Sequence, residues 1–443
     1  MKLKPVALLC VEQVMGIRAL LILLLLCLLT IPAVAQPPAI TIYDVDDPAH
    51  LWNRLHRALL VREGFQKDEL VGVDTVDPIL WANTQHLLTG ESHRAAIGVL
   101  DEFLTGKGER LIADPVKRAI LQRDLWAVFD WSCAGDDQPA ARAALQDRLA
   151  RVIRRVALTK AQIDALPDTY ALAAARRADD SLLPRDLRDP DGPWIDMFRP
   201  GDGVATPAHL RAFDGRSVFN ALIRHPDGRD EGLAYLRTIS TFDRPYIADA
   251  DSDGGVAPRL NAALPQFPVG TRVALLRRAI LVDDRGELVP SRLAVSVQLR
   301  TYRRIPVQGE PLRPDDQDFE EFVFARRALF ADPATALGRR SADERDILHV
   351  QFAGHGIDWI EAPLNKPGEV RRLAHPVMES CFSCHNGPGI RAVNTFSRLF
   401  GPEMFRPAVG DGSPDAQDGY AVAFKRQRYD WGLLQGIAWR PRR

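Results

Sequence analysis

The chain has little excess charge of either sign and few cysteines. Its 57 lysines and arginines against 58 aspartates and glutamates leave a formal net charge of −1, and five of its 443 residues are cysteine. This balance argues against a nucleic-acid partner. The cysteine count excludes a fold built on disulfides. With 46% hydrophobic and 26% charged residues, the composition is that of globular proteins, and the length allows two or three domains.

Long hydrophobic runs are also missing, except at the start of the chain. Lys2, Lys4 and Arg18 precede a 13-residue apolar run, 19–31, which ends before the small residues of 32–35. Such a run is too short to span a bilayer and is typical of a secretory signal. We predict a signal peptide over 1–35 and export to the periplasm or the extracellular space, with membrane association only through an uncleaved signal. Met15 offers a shorter alternative start.

Removal of residues 1–35 leaves three cysteines, Cys133, Cys381 and Cys384. If Cys381 and Cys384 act together, Cys133 has no partner within the chain. Cys133 follows an apolar helical pattern that contains Trp126 and Trp131, and we predict a buried free thiol there and core positions for both tryptophans. An intermolecular disulfide is the alternative for Cys133.

Residues 36–200 carry a helical pattern. Leu51, Leu55 and Leu59 recur at four-residue spacing, and Asp114 before Pro115 is typical of a helix start. A further helix is predicted from 139 to 158, followed by a capping box of Thr159 and Gln162. We therefore predict an all-helical N-terminal domain.

Between residues 201 and 340 the apolar residues recur at a spacing close to two, which is the spacing of a β-strand. Alternating apolar residues over 293–299 and the turn at 283–286 predict a pair of strands, and Phe322 and Phe324 indicate another. We predict a small, mostly antiparallel β-rich domain here and a mainly α-helical domain over 341–443, with a helix around 420–435. The fold class is multidomain α+β.

The third domain contains the stretch Cys381-Phe382-Ser383-Cys384-His385. Two cysteines at this spacing can bond to the two vinyl groups of a haem, and the histidine that follows can bind the iron. Covalent attachment of this kind takes place outside the cytoplasm, in agreement with the signal peptide. We predict one covalent haem c, with Cys381 and Cys384 as attachment points and His385 as the proximal iron ligand.

Other uses of the two cysteines explain the pattern less well. A structural zinc site needs four ligands, and no other cysteine lies nearby. A thioredoxin-like pair needs a strand-to-helix junction, whereas Pro376 precedes this motif without a clear strand. A simple disulfide leaves His385 unexplained.

At these residues the chain resembles the c-type cytochromes, specifically the single-haem domain of class I cytochromes c. The resemblance covers about the last 100 residues and rests on the C-x-x-C-H motif, on Gly387-Pro388 and on Met404 downstream. It implies thioether attachment at Cys381 and Cys384 and proximal ligation by His385. In that family a Gly-Pro carbonyl orients the proximal imidazole, but here the pair follows the histidine more closely than usual. The whole chain also resembles some secreted bacterial proteins of unknown function, which have similar RDLWAVFDW and HGID sequences, and this likeness implies no activity.

The sixth iron ligand decides between electron transfer and ligand-binding chemistry. Met404, in a segment stiffened by neighbouring prolines, is the predicted distal ligand, and a thioether ligand raises the reduction potential. His355, with a glycine on each side, is the alternative, followed by His375 and His349. Arg391, Lys425 and Arg426 are candidates to pair with haem propionates, although solvated positions fit this arginine-rich region better.

The prediction for function is electron transfer to or from a redox partner protein of unknown identity. The first alternative is a haem peroxidase or oxidase with an open sixth position. The second is an envelope-complex protein in which the haem has a structural or sensory role. No familiar catalytic motif is present in residues 36–340.

Overall fold

The structure is a computed structural model that describes most of the chain between residues 40 and 341 and parts of the C-terminal region. The described residues are 40–63, 70–74, 85–177, 182–197, 206–250, 256–306, 310, 313, 315–341, 385, 387–392 and 414–439. By its internal contacts the chain divides into two compact units, residues 1–40 and residues 41–443. All described residues except Ile40 belong to the second unit. The predicted signal peptide lies outside the described residues.

The helices of the N-terminal part begin and end close to the predicted positions. Asp114 accepts hydrogen bonds from the backbone N–H groups of Val116 and Lys117, and Thr159 and Gln162 form the predicted capping box. Both arrangements satisfy backbone donors that a helix start leaves unpaired. The helices are α1 Leu51–Leu60, α2 Gly90–Thr105, α3 Pro115–Ser132, α4 Pro139–Val156, α5 Lys160–Asp164, α6 Thr169–Arg176, α7 Pro207–Ala212, α8 Arg229–Ser240, α9 Arg326–Ala331, α10 Pro414–Arg426 and α11 Tyr429–Ala438.

A six-stranded antiparallel sheet forms the centre of the unit, with the strand order β10-β9-β8-β7-β4-β3. The predicted pair of strands around 283–286 is confirmed as its longest hairpin, β7 and β8, and Phe322 and Phe324 lie on β9. The strands are β1 Arg62–Glu63, β2 Leu70–Val71, β3 Trp194–Asp196, β4 Ser217–Arg224, β5 Tyr246–Ala250, β6 Val256–Leu260, β7 Arg272–Val282, β8 Leu288–Tyr302, β9 Gln317–Phe324 and β10 Leu337–Arg339. The pairs β1–β2 and β5–β6 form two small separate sheets.

The two faces of the large sheet belong to different cores. One face, which we call the bundle face, carries Leu222, Leu276 and Leu299 and shares a core with residues of α3, α5 and α6. The other, which we call the opposite face, carries Ala221 and Ile223 and packs against α8 and the segment 390–392. Neighbouring residues of one strand point to opposite sides, so the alternation in the sequence separates the two cores.

The α+β class is confirmed, with differences in detail from the predicted arrangement. Helix α3 is buried around almost its whole circumference, including the predicted core residues Trp126 and Trp131, rather than along one stripe. Helix α8 lies in the stretch predicted to be β-rich. The prediction that residues 36–200 are all helical is wrong, because β1, β2 and β3 lie there and β3 pairs with β4 in the large sheet. The predicted C-terminal helix is two helices, α10 and α11, and α11 packs against α3 and α4. The domain boundaries near 200 and 340 stay a prediction.

Candidate functional site

Of the residues predicted to bind haem, the structure describes His385. The attachment cysteines Cys381 and Cys384, the predicted distal ligand Met404 and its alternative His355 lie outside the described residues, as do His375 and His349. The described part of the site therefore consists of His385 and the residues that contact it.

The imidazole of His385 is oriented by the backbone seven residues further along. Its Nδ1 lies 2.7 Å from the carbonyl oxygen of Ala392. A carbonyl oxygen can only accept a hydrogen bond, so Nδ1 carries a proton, and in the neutral imidazole Nε2 then has the lone pair. A metal-binding histidine almost always donates its second ring N–H in this way to a carbonyl or carboxylate, which fixes the tautomer and the ring orientation. His385 thus has the tautomer that an iron ligand requires.

The segment that follows His385 is held by two side chains of the central unit. Arg300 on β8 donates to the carbonyl oxygen of His385 at 2.9 Å. Gln266 accepts from the backbone N–H of Ile390 at 2.6 Å and donates to the carbonyl oxygen of Pro388 at 3.3 Å. Gly389 has a φ of +53°, which strains any other residue, and a Cβ atom there would displace the Gln266 amide.

Burial anchors the far end of the same segment. Ile390 and Ala392 are buried in the core of the opposite face, beside Ile223 and Tyr302. The carbonyl group that accepts the hydrogen bond from His385 therefore belongs to a buried residue. The orientation of the imidazole is consequently coupled to the packing of the sheet.

A second histidine lies beside the first. The ring of His209, on α7, has its centre 6.1 Å from the centre of the His385 ring, and the two ring planes differ by 11°. The His209 ring also contacts Phe219 on β4, with 5.6 Å between ring centres. Sequence reasoning missed His209, because a single histidine in a short helix carries no spacing signal that relates it to a distant motif.

Two buried arginines on the opposite face give this region a positive character. The guanidinium carbon of Arg277 lies 3.3 Å from the ring centre of Phe213, and that of Arg300 lies 4.5 Å from the ring centre of Phe319. Both arginines are about 6% exposed. Guanidinium groups of this kind suit carboxylates such as haem propionates. These two lie nearer to His385 in the fold than Lys425 and Arg426, which have partners elsewhere.

Of the propionate candidates from the sequence, Lys425 and Arg426 have other partners. Lys425, for which a solvated position was expected, is buried, and its Nζ lies 2.6 Å from Asp130 and 3.0 Å from Asp430. Arg426 is exposed and pairs with Glu287 at 2.7 Å. The side chain of Arg391 lies outside the described residues.

A separate cavity of about 380 Å³ lies at the end of α3 and is lined in part by Asp130, Cys133 and Arg211. Asp130 is held by Arg216 and Lys425, each at 2.6 Å, so its charge already has buried partners. Cys133 is a free, half-buried thiol, and burial raises its pKa to about 12. A thiol with so high a pKa is a poor nucleophile. The cavity therefore has the features of a structural ion-pair cluster.

Comparison with known proteins gives no further guidance. No family model matches the chain, and neither a curated protein nor a solved structure is significantly similar to it. Among the described residues there is no group of three or more histidine, cysteine or acidic side chains that could hold a metal ion. Within the same residues, no helix is long and apolar enough to cross a membrane.

Proposed function

We propose that this protein is an exported c-type cytochrome that binds one covalent haem c and transfers electrons to or from a protein partner. The observation that carries the proposal is the hydrogen bond between Nδ1 of His385 and the Ala392 carbonyl oxygen at 2.7 Å. It gives the histidine of a C-x-x-C-H sequence the tautomer and the fixed orientation of an iron ligand.

In this proposal each residue of the motif has a defined task. Cys381 and Cys384 would hold the haem through two thioether bonds. His385 would bind its iron through Nε2. The bound haem would supply a centre that gains and loses one electron.

The surrounding residues keep this arrangement rigid. Gln266 fixes Pro388 and Ile390, and Arg300 fixes the carbonyl group of His385. Groups held by buried neighbours change position little when the charge of the site changes, which favours electron transfer. The positive charge of Arg300 and Arg277 also favours anionic propionates and the reduced iron.

The test begins with the full-length chain produced in a bacterium that carries a periplasmic haem-attachment system. We expect the secreted product to carry the added mass of one haem and to give a pyridine haemochrome spectrum for one haem per chain. The Cys381→Ala/Cys384→Ala double variant should lose the covalent haem completely. Cys133→Ser is the matched control, since it removes the remaining cysteine of the mature chain and should keep full haem content.

Reduction and reoxidation of the loaded protein then separate electron transfer from the alternatives. We expect a reversible one-electron titration and slow or absent binding of cyanide, because both axial positions of an electron-transfer haem are occupied. A product without added tetrapyrrole mass, or with zinc in place of iron, would contradict the proposal. Rapid cyanide binding together with turnover of peroxide would favour the enzyme.

A further inference from the structure

The two parallel histidines have a geometry that bears on the sixth iron ligand. Because a metal-bound imidazole nitrogen lies about 2.0 Å from a first-row metal ion, and the ring centre about 1.1 Å behind that nitrogen, two imidazoles on opposite sides of one ion have ring centres about 6 Å apart. The observed separation between the rings of His209 and His385 is 6.1 Å, with ring planes 11° from parallel. The distance and the small angle are those of two imidazoles that bind one iron with their planes aligned, and they are shared by a parallel, stacked pair of rings.

We propose that His209 is the distal axial ligand, opposite His385, so that the haem is coordinated by two histidines. The inference rests on the proposed function and deepens it, because it assigns the residue that completes the iron site. It replaces Met404 as the predicted distal ligand and differs from the His/Met pair that resemblance to class I cytochromes c implies.

The position of His209 is fixed by the regular structure that follows it. Helix α7 begins after Thr206 and ends in a tight turn, in which the N–H of Gly215 bonds to the carbonyl oxygen of Leu210 at 2.9 Å. Leu210 is buried, and β4 begins two residues after Gly215. His209 therefore lies on a short helix joined directly to a central strand of the sheet, and ligands on such supports are held more precisely than ligands on loops.

The two histidines also come together through the same face of the sheet. Phe219, which contacts the His209 ring, lies on β4 in alternation with Ala221 and Ile223 of the opposite-face core. Arg300, which holds the His385 carbonyl group, lies on β8 and is separated from β4 by β7 alone. The sheet thus serves as a common support for both imidazoles. An offset stack of two imidazoles gives a similar separation, and the experiment distinguishes it from ligation.

The experiment records optical and electron paramagnetic resonance spectra of the haem-loaded protein. We expect the ferric wild-type protein to be low-spin and to lack the weak far-red band of a sulfur ligand. His209→Ala should lose the low-spin form, become high-spin and bind cyanide readily, and added imidazole should restore the low-spin spectrum. His209→Met should show the sulfur band and a higher reduction potential.

His93→Ala is the matched control. His93 lies on α2, and its Nδ1 bonds to the carbonyl oxygen of Leu87 at 2.8 Å, as the Nδ1 of His385 bonds to that of Ala392. This variant should leave the haem spectra unchanged, as should Met404→Ala and His355→Ala. If His209→Ala does not fold, His209→Met decides through the sulfur band.

The outcomes separate this inference from the proposed function. Loaded His209→Ala protein with an unchanged low-spin spectrum overturns the His209 assignment and leaves the cytochrome intact. Loss of the low-spin form in Met404→Ala or His355→Ala overturns it in favour of that residue. Absence of covalent haem in the wild-type protein overturns both proposals together.

Discussion

The two faces of the six-stranded sheet are formed by the same strands but differ in chemistry. The core of the bundle face is mainly aliphatic but includes Trp194, Phe322 and Phe324. Its buried polar groups form close pairs, such as Asp196 with Asn220 and Arg278 with Asp418. The opposite face carries buried arginines, aromatic rings and the two parallel histidines. We infer that the bundle face serves mainly stability, and the proposed haem site lies on the opposite face.

The largest contrast is expected from neighbouring leucines of β7. Leu276 is fully buried in the bundle-face core, whereas Leu275 is partly buried on the opposite face. We expect Leu276→Ala to lower the free energy of unfolding by about 2–5 kcal/mol, because it leaves a cavity in close-packed surroundings. Leu275→Ala should lower it by less than about 2 kcal/mol. Urea unfolding followed by far-ultraviolet circular dichroism measures both, and equal losses would remove the distinction between the faces.

A smaller effect, of opposite sign, is expected from Asp196 on the bundle face. Burial raises the pKa of Asp196 to about 6, against the opposing hydrogen bond from Asn220. The folded protein thus holds the proton more tightly than the unfolded chain, so the contribution of Asp196 to the free energy of unfolding falls as pH rises from about 4 to about 6. Asp196→Asn, which still accepts from Asn220, should remove this decrease and stabilise the fold above pH 6 by on the order of 2 kcal/mol.

The measurement is urea unfolding of both proteins over the range from about pH 4 to about pH 7. Asp243→Asn is the control, because the Asp243 side chain is 95% exposed and its replacement should change stability by less than about 0.5 kcal/mol at any pH. Parallel pH profiles for wild type and Asp196→Asn would show that Asp196 is ionised normally in the fold.

The smallest change in stability is expected on the opposite face, at Arg300. Arg300→Gln removes a buried positive charge next to His385 but keeps a side chain able to donate to its carbonyl group. If the proposed function is right, the reduction potential of the haem should fall by on the order of tens of mV, because a nearby cation disfavours the ferric state. The free energy of unfolding should change by about 1 kcal/mol or less.

Potentiometric titration of the loaded protein measures this shift. Arg303→Gln is the matched control, since Arg303 follows the same strand but is 65% exposed and pairs with Asp318 at 2.7 Å. Its charge is screened by solvent, so the potential should stay the same. Equal shifts for both variants would mean that Arg300 has no special relation to the haem.

Structural features that depend on residues close together in the sequence were predictable. The caps at Asp114 and Thr159, the four-residue repeat of α1 and the alternation of β8 all follow from local geometry, and the structure confirms each of them. For α3 the sequence predicted a single apolar stripe, whereas the helix is buried on almost every side. Its buried Asp124 and Asp130 resemble surface residues in sequence, and their partners Arg326 and Lys425 come from distant parts of the chain.

The sequence by itself determined the C-x-x-C-H motif, because the spacing of two thiols and an imidazole within five residues is set by the covalent chain. It also determined the α+β class through the change of hydrophobic period. Only the tertiary structure decided which carbonyl group orients His385 and that His209 lies beside it. These contacts depend on how α7, β4 and β8 pack on one face of the sheet. Such packing is a property of the whole core and cannot be predicted from a local sequence pattern.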